Sequence, residues 1–318
     1  MQIIKLTYPI QDSLDFEDKV VLAMGFFDGL HKGQQEVIRQ AKLKAKELRV
    51  KLAVLTYDHH PKLVYKKMTT HESRYLTLYD YKMKLFESYG VDEVFYVNYS
   101  WKFQNQTPEE FVKNYLMRFN AVAVVAGFDH TYGHKDVAVM ENLPKFSNNS
   151  FQVITVPPVK LSGEKISSTR IRQALDAGNV DLVDEMIGRP FRTEGVIVHG
   201  EERGRLLGYP TANVKHDGMQ WLPAIGIYIV TVKVANKKFL GMASIGKNVT
   251  FTDSHPMTTE INLLNFDDNI YGENVEVDWY SHRRNEIKFK TADQLIDQLA
   301  KDKKDALDYL KSHPEILN

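Results

Sequence analysis

A glycine-rich stretch near the N-terminus, "GFFDGLHKGQ" (residues 25–34), combines residue types that suit phosphate chemistry. Gly25 and Gly29 let the backbone approach a ligand closely, and His31 offers a ring N–H to a phosphate oxygen as negative charge builds on it. An amphipathic segment follows Gly33, and the N-terminus of such a helix attracts anions. A plain strand–helix turn with a surface histidine is the alternative. The sequence lacks G-x-x-x-x-G-K-[ST], which excludes a P-loop.

Three further polar segments follow apolar runs: "TYDHHP" (56–61), "GFDHTYG" (127–133) and "KISSTRIRQAL" (165–175). In parallel sheets the carboxyl ends of the strands meet at one edge, and ligands bind there beside helix N-termini. We therefore expect these segments to converge on residues 25–34. Taken singly, each has a simpler explanation, since Ser167 and Ser168 are good helix caps.

A second glycine-rich stretch, "HGEERGRLLGYPTANV", covers residues 199–214. The backbone amides of Gly200, Gly204 and Gly208, together with Arg203 or Arg205, suit a loop that covers a nucleotide phosphate. Thr211 and Asn213 are two residues apart, so on an extended segment they project to the same side, as two oxygens that share a Mg²⁺ ion should. A long hairpin loop with an Asn turn is the alternative.

The order of elements in the first half predicts a doubly wound parallel sheet. Helical segments separate the apolar runs, and one of them begins with Thr107, Pro108 and Glu110, a capping box with proline at the first helical position. Crossovers of this length give parallel strands with helices on both faces. Five apolar runs read as buried strands: residues 19–24, 51–57, 91–97, 121–127 and 151–156.

The pattern changes after "GRPFR", where strand-like segments follow one another directly, with "ANKK" as a predicted hairpin turn. This succession predicts a small antiparallel barrel or sandwich. The last segment is an amphipathic helix with Thr291 and Gln294 as its predicted cap pair. The boundary between the two halves is expected near residues 180–188.

The composition excludes or disfavours several classes of protein. The chain has 318 residues with 41 basic and 41 acidic side chains, and this balance gives no electrostatic footprint for nucleic acid or an anionic membrane. It contains no cysteine, which excludes disulfides and thiolate metal sites. Its histidine pairs lack acidic partners at ligand spacing, which disfavours zinc. With no signal layout and no long apolar run, we expect a soluble cytoplasmic protein.

The order of motifs GxFDGxHxG, T-[YF]-x-x-H-P, GFDxxYG and ISSTRIR resembles the adenylyltransferase half of the prokaryotic bifunctional riboflavin kinase/FAD synthetases. The stretch G-R-x-x-G-[YF]-PTAN resembles the flavokinase signature of the same family. The resemblance implies a nucleotidyltransferase domain over residues 1–183. It implies a riboflavin kinase domain over residues 184–318, folded as a six-stranded antiparallel barrel with a terminal helix.

In the first half, the resemblance implies that ATP and FMN react to give FAD. His31 would stabilise the transition state, and Arg170 would help to hold the departing pyrophosphate. The ATP and phosphate contacts would come from Gly25, Phe26, Phe27, Asp28, Gly33, Gln34, Ser167, Ser168 and Thr169. The flavin and nucleotide pocket would be lined by His60, Pro61, Gly127, Phe128, Asp129 and Tyr132.

Gln34 departs from the family pattern, because it stands where the second histidine of HxGH is expected. A neutral amide replaces a ring that can carry charge, and the difference between such hydrogen bonds corresponds to about a tenfold change in rate. We expect adenylylation that is slowed rather than abolished. Ala138 stands where a glycine is expected after "GFDHTYG" and is a second departure from the pattern, in the loop on the flavin side.

In the second half, the resemblance implies that riboflavin and ATP–Mg²⁺ give FMN, with Glu260 as the base that takes the proton of the ribityl 5′-hydroxyl. Thr211 and Asn213 would hold the Mg²⁺, and Gly204, Arg205 and Gly208 would contact ATP. The partners are then small molecules, without nucleic acid or membrane, and the chain is expected to be a monomer or to self-associate weakly. Two alternatives stay open: a riboflavin kinase whose first domain binds nucleotide or flavin without turnover, and a flavin-sensing regulatory protein.

Overall fold

The computed structural model describes residues 1–134, 136–200, 208–247 and 257–317. The chain divides into two compact units, Met1–Ser168 and Thr169–Asn318. The expected division at 183/184 falls inside a helix, Val180–Ile187, and stays a prediction.

The N-terminal unit contains a six-stranded sheet in which every neighbouring pair is parallel, with the order β1-β4-β3-β2-β5-β6. This confirms the predicted doubly wound parallel sheet. Its strands are β1 (Gln2–Leu6), β2 (Val20–Met24), β3 (Lys51–Tyr57), β4 (Glu93–Val97), β5 (Ala121–Gly127) and β6 (Gln152–Val156).

Helices and short turns connect these strands, and a two-stranded hairpin of Lys160–Leu161 (β7) and Glu164–Lys165 (β8) follows them. The helices of this unit are α1 (Lys32–Leu48), α2 (Lys62–Tyr65), α3 (Tyr79–Ser88), α4 (Trp101–Gln104), α5 (Pro108–Phe111) and α6 (Leu143–Phe146). The capping box predicted at Thr107 is present, since its hydroxyl accepts the Glu110 N–H and the Glu110 carboxylate accepts the Thr107 N–H. A π-helical turn, Val112–Met117, continues α5.

Strand β2 shows why the sheet is covered on both faces. Leu22 and Met24 belong to one apolar cluster, whereas Val21 and Ala23 belong to another that includes α1 and α3. Successive side chains of a strand point to opposite faces, so both faces carry a core.

The sequence prediction missed β1, which pairs only with β4 at the edge of the sheet. Its pattern "QIIKL" is short, and only Leu6 of its five residues is buried. An edge strand that buries so little has no continuous apolar run to reveal it.

The C-terminal unit is a closed six-stranded barrel with the order β10-β13-β12-β11-β14-β9, and all its pairs are antiparallel. The strands are β9 (Phe191–Val198), β10 (Ala212–His216), β11 (Gly226–Val234), β12 (Lys237–Lys247), β13 (Met257–Leu263) and β14 (Asn274–Arg284). The predicted "ANKK" turn joins β11 to β12, and Ala235 and Asn236 both have positive φ, as a tight hairpin turn requires.

Three longer helices complete this part of the chain: α7 (Ser168–Asp176), α8 (Val180–Ile187) and α9 (Ala292–Ser312). The predicted cap of α9 is present, since the Thr291 hydroxyl accepts the Gln294 N–H. Ala306 of α9 is fully buried in a cluster with Ile229, Leu240 and Met242 of the barrel. No helix within the described residues is long and apolar enough to span a bilayer.

Candidate active sites

A cavity of about 970 Å³ opens at the carboxyl edge of the parallel sheet. Met24, Tyr57, Gly127 and Val156, which end β2, β3, β5 and β6, all line it. This is the edge at which the sequence predicted that the polar segments converge, and they do meet there. The predicted site residues that line the cavity are Gly25, Phe26, Phe27, His31, Gly33, Gln34, His60, Pro61, Gly127, Phe128, Asp129, Tyr132, Ser167 and Ser168.

His31 is the N-cap of α1 and is bonded reciprocally to Gln34. The His31 Nδ1 accepts the Gln34 backbone N–H at 3.3 Å, and the Gln34 Oε1 accepts the His31 backbone N–H at 3.2 Å. Because Nδ1 is an acceptor, the neutral ring carries its proton on Nε2. A Cβ on Gly33 would lie 3.2 Å from the His31 ring, so glycine leaves room for the ring beside the start of the helix.

Asp28 has a structural position in this loop. It is 1% exposed, and its Oδ1 accepts the backbone N–H groups of Leu76 and Thr77 at 2.9 and 3.1 Å. Its carboxylate is therefore bound to the neighbouring segment, and Asp28 is not among the residues that line the cavity. The predicted contact of Asp28 with ATP stays a prediction.

The "ISSTR" segment reaches the same loop. The Ser168 hydroxyl donates to the Asp28 carbonyl at 2.8 Å, which ties the start of α7 to the glycine-rich loop. Thr169 and Arg170 follow in the first turn of α7 and fall in the C-terminal unit. Their predicted contact with pyrophosphate stays a prediction.

The far part of the cavity is lined with aromatic rings and contains three buried polar atoms that have no hydrogen-bond partner in the described structure. Gln104 and His130 were not selected from the sequence, whereas Tyr132 was. Burial lowers the pKa of His130 to about 4, so its ring is neutral at pH 7. The three unpartnered atoms are Gln104 Oε1, His130 Nε2 and the Tyr132 hydroxyl. Buried polar atoms of this kind call for a partner, such as a ligand or an ordered water.

One rim of the cavity carries a charged pair. The Lys165 ammonium pairs with the Asp129 carboxylate and lies 4.7 Å from the centre of the Phe128 ring. Phe128 lines the cavity and is 45% exposed. Ala138, in contrast, is fully buried, and a Cβ on Gly133 would lie 3.0 Å from its methyl group.

The second predicted site lies at the pairing of β10 with β13. Asn213 stands directly opposite Glu260 in the register of the two strands, and the Thr211 hydroxyl donates to the Glu260 Oε2 at 3.3 Å. The Asn262 amide donates to the Pro210 carbonyl at 2.7 Å and fixes the start of the PTAN segment. The structure thus brings Thr211 and Asn213 together with Glu260, which lies about fifty residues further along the chain.

Gly200, which the sequence places in the predicted nucleotide-covering loop, packs against Asn213 of this group. A Cβ at this position would lie 2.0 Å from the Asn213 Nδ2, so any larger residue would displace the Asn213 side chain. Gly208 has a φ of +79°. Arg203, Gly204 and Arg205 lie outside the described residues.

The side chains of Thr211, Asn213 and Glu260 fit a hard divalent cation. Hydroxyl, amide carbonyl and carboxylate oxygens are the ligands that Mg²⁺ accepts, and a site with few protein ligands is usual for Mg²⁺ bound with substrate phosphates. The close approach of Gly200 to Asn213 leaves that amide little freedom to turn.

The sequence matches two family models, FAD synthetase over residues 14–170 and riboflavin kinase over residues 187–310. A Listeria monocytogenes protein named bifunctional riboflavin kinase/FMN adenylyltransferase is 39% identical, with 96% of this chain and 97% of that protein covered. A Bacillus subtilis protein of the same name is 33% identical, with 98% and 99% covered.

A solved structure is similar over nearly the same length. It is a crystal structure from Streptococcus pneumoniae described as a macrolide-efflux protein, 37% identical, with a TM-score of 0.88. The match covers 95% of this chain and 98% of that one. The same two-part fold therefore occurs in a crystal structure.

Proposed function

The chain belongs to the family of bifunctional riboflavin kinase/FMN adenylyltransferases, and on that premise we propose that it makes FMN from riboflavin and then FAD from FMN. The observation that carries the proposal is the presence of two separate clusters. One lies in the cavity of the N-terminal unit, and the other lies at the pairing of β10 with β13, each within the segment that its own family model matches.

In the N-terminal unit, an FMN phosphate oxygen attacks the α-phosphorus of ATP, and the bond to the bridging oxygen of pyrophosphate breaks. His31, with its ring proton on Nε2, donates to the phosphate as charge builds there. The N-terminus of α1 adds its N–H groups and its dipole. We assign Ser167, Ser168, Thr169 and Arg170 to the pyrophosphate.

The unpartnered atoms of the cavity suit the flavin ring. Its dioxopyrimidine edge presents a carbonyl, an N–H and a second carbonyl in a row. Gln104 Oε1 accepts from the N–H, while His130 and the Tyr132 hydroxyl donate to the carbonyl oxygens. The surrounding aromatic rings supply faces for stacking.

Gln34 keeps its place in the cap of α1 through Oε1, which leaves its NH₂ group as a neutral donor toward the cavity. A neutral donor stabilises the charged transition state less than a ring that can carry a proton. We therefore propose that adenylylation is slowed in this chain and not abolished.

In the C-terminal unit, Glu260 takes the proton of the riboflavin 5′-hydroxyl, whose oxygen attacks the γ-phosphorus while ADP departs. Thr211 and Asn213 would hold Mg²⁺, which neutralises charge on the ATP phosphates when bound. The Thr211–Glu260 hydrogen bond orients the carboxylate before substrate arrives. We assign Gly204, Arg205 and Gly208 to ATP.

The remaining proposals concern the cellular compartment, the oligomeric state and the binding partners of the enzyme. We propose a cytoplasmic protein that acts as a monomer or a weak oligomer on small molecules alone. The balance of 41 basic and 41 acidic side chains supports the exclusion of nucleic acid and of an anionic membrane surface.

The test is a purified-protein assay with ATP and Mg²⁺, in which riboflavin or FMN is supplied and the products are separated by chromatography. FMN must form from riboflavin, and FAD must form from FMN. Formation of FMN without FAD would favour the alternative of a kinase with an inactive first domain. Failure to form either product would contradict the proposal.

A further inference from the structure

Lys82 is a buried lysine that the proposed chemistry does not use. It lies in α3 and is only 4% exposed. Burial lowers its pKa to about 8, while the nearby Asp28 carboxylate opposes the shift. A lysine is rarely buried in this way unless its ammonium meets a specific partner.

The partner is the carbonyl of Phe26 in the glycine-rich loop. Lys82 Nζ donates to the Phe26 carbonyl oxygen at 3.2 Å and lies 4.5 Å from the centre of the Phe26 ring. The Thr56 hydroxyl at the end of β3 donates to the same oxygen at 3.0 Å. Two donors from two different elements thus hold one loop carbonyl toward the interior.

The fixed carbonyl determines where the next amide points. In a trans peptide the C=O and the following N–H point in opposite directions, and the Phe26–Phe27 bond is trans. The Phe27 N–H is therefore turned away from Lys82. Phe27 itself lines the cavity. Its φ of +54° is unfavourable for a residue with a side chain, so the loop needs anchors to keep this conformation.

We propose that Lys82 is a positioning residue of the adenylylation site: by holding the Phe26 carbonyl inward, it presents the Phe27 N–H to the phosphate chain of the nucleotide. This inference rests on the proposed function of the N-terminal unit. A backbone N–H aimed at a phosphate oxygen is a strong donor because the acceptor is charged. The ammonium, one peptide away, adds positive potential without touching the ligand.

The opposing explanation is that Lys82 only fills the core. The two explanations differ in the Lys82→Met variant, which keeps an unbranched side chain, one atom shorter, and removes the charge and the hydrogen bond. If Lys82 positions the loop, the variant folds and the KM for ATP in FAD formation rises. If Lys82 only packs, the methionine fills its place and the kinetics stay unchanged.

The experiment measures FAD formation at pH 7, with saturating FMN and varied ATP, and riboflavin phosphorylation by the same preparations. We expect the KM for ATP of Lys82→Met to rise about tenfold, with a smaller change in kcat and with riboflavin phosphorylation unchanged. The matched control is Lys42→Met. Lys42 also donates to a backbone carbonyl, that of Tyr89 at 2.6 Å, but it does not line the cavity. The KM for ATP of the Lys42→Met variant should therefore equal that of the wild type.

Thr56→Val is the second variant, and it keeps the lysine while removing the other donor. We expect a rise in the KM for ATP of about two- to threefold. A KM for ATP within twofold of the wild type in Lys82→Met overturns the inference. If Lys82→Met fails to fold, an unchanged KM in Thr56→Val overturns it.

Failure of the proposed function has a different signature, which is a wild-type chain that forms no FAD. Calorimetric titration with a non-hydrolysable ATP analogue then decides the inference. We expect two nucleotide sites in the wild type, one of which is weakened about tenfold in Lys82→Met. Two sites of unchanged affinity, or a single site in the wild type, would overturn it.

Discussion

His31 and Gln34 close the first turn of α1 together, each side chain accepting the backbone N–H of the other at 3.3 and 3.2 Å. The Gln34 Oε1 is thus bound to the helix cap, while the residue still lines the cavity. The same pair sets the proton of the neutral His31 ring on Nε2. Gln34, which stands where the resemblance implies a second histidine, therefore helps to hold the backbone of His31 at the start of α1.

The first prediction concerns that departure. Gln34→His should raise the rate of FAD formation about tenfold, because a ring that can carry charge replaces a neutral amide beside the phosphate. The rate is measured by chromatography with FMN and ATP supplied. Riboflavin phosphorylation by the same preparation is the control and should not change. An unchanged or lower rate of FAD formation would contradict the account of Gln34.

The second prediction concerns the unpartnered atoms in the cavity. His130→Ala should raise the KM for FMN about tenfold and leave the KM for ATP unchanged, because a donor to a flavin carbonyl is lost. The matched control is His59→Ala. His59 pairs with Asp58 at 2.7 Å and does not line the cavity, so its variant should retain the wild-type KM for FMN. Equal effects in the two variants would exclude the assigned contact.

The third prediction concerns Gly200. Gly200→Ala should lower riboflavin phosphorylation a hundredfold or more, on the order of losing one transition-state contact, because the new methyl group would displace Asn213. FAD formation from supplied FMN should continue. Gly218→Ala is the control, since a Cβ there meets nothing within 4 Å. Retention of kinase activity in Gly200→Ala would show that riboflavin phosphorylation does not require Asn213 in the position that it has in the structure.

The fourth prediction is a dependence of stability on pH. Burial raises the pKa of Asp184 to about 9, above its ordinary value of 3.8. Between pH 3.8 and about 9, Asp184 of the unfolded chain has released the proton that Asp184 of the folded chain retains. Asp184 therefore lowers the free energy of unfolding as the pH rises. The contribution is about 1.4 kcal/mol per pH unit for a full difference of one proton.

Asp184→Asn removes that dependence while its Oδ1 still accepts the Phe191 N–H, which lies 2.8 Å away in the wild type. The free energy of unfolding of the variant should equal that of the wild type near pH 4 and should exceed it increasingly toward pH 8. The measurement is thermal or urea unfolding across that range. The exposed Glu185→Gln on the same helix is the control. A constant difference between Asp184→Asn and wild type at all pH values would contradict the assignment.

Much of this architecture could be predicted because it depends on local patterns. The family, the parallel sheet and the barrel are confirmed, and so are the caps at Thr107 and Thr291. Each depends on a periodic apolar pattern or on a short motif. The convergence of four segments at one sheet edge followed from the general rule for parallel sheets.

The parts that could not be predicted depend on tertiary contacts between distant residues. Gln104 ends the four-residue helix α4, and His130 lies in the irregular segment after β5, so no periodic pattern points to either residue. The sequence of "GFFDG" does not reveal that the Asp28 Oδ1 accepts the backbone N–H groups of Leu76 and Thr77, nearly fifty residues away. Lys82 sits in an amphipathic helix, where a lysine usually faces solvent, and only the fold reveals that it is buried against Phe26.

The presence of two independent active sites in one chain is tested most directly by comparing three proteins. Each protein is assayed once with FMN, ATP and Mg²⁺ and once with riboflavin, ATP and Mg²⁺. The wild type should form FMN from riboflavin and FAD from FMN. His31→Ala should form FMN at the wild-type rate and FAD at least a hundredfold more slowly, whereas Gly200→Ala should form FAD from FMN but scarcely any FMN from riboflavin. Loss of both activities in either variant that remains folded, or a wild-type chain that makes FMN and no FAD, would contradict the account.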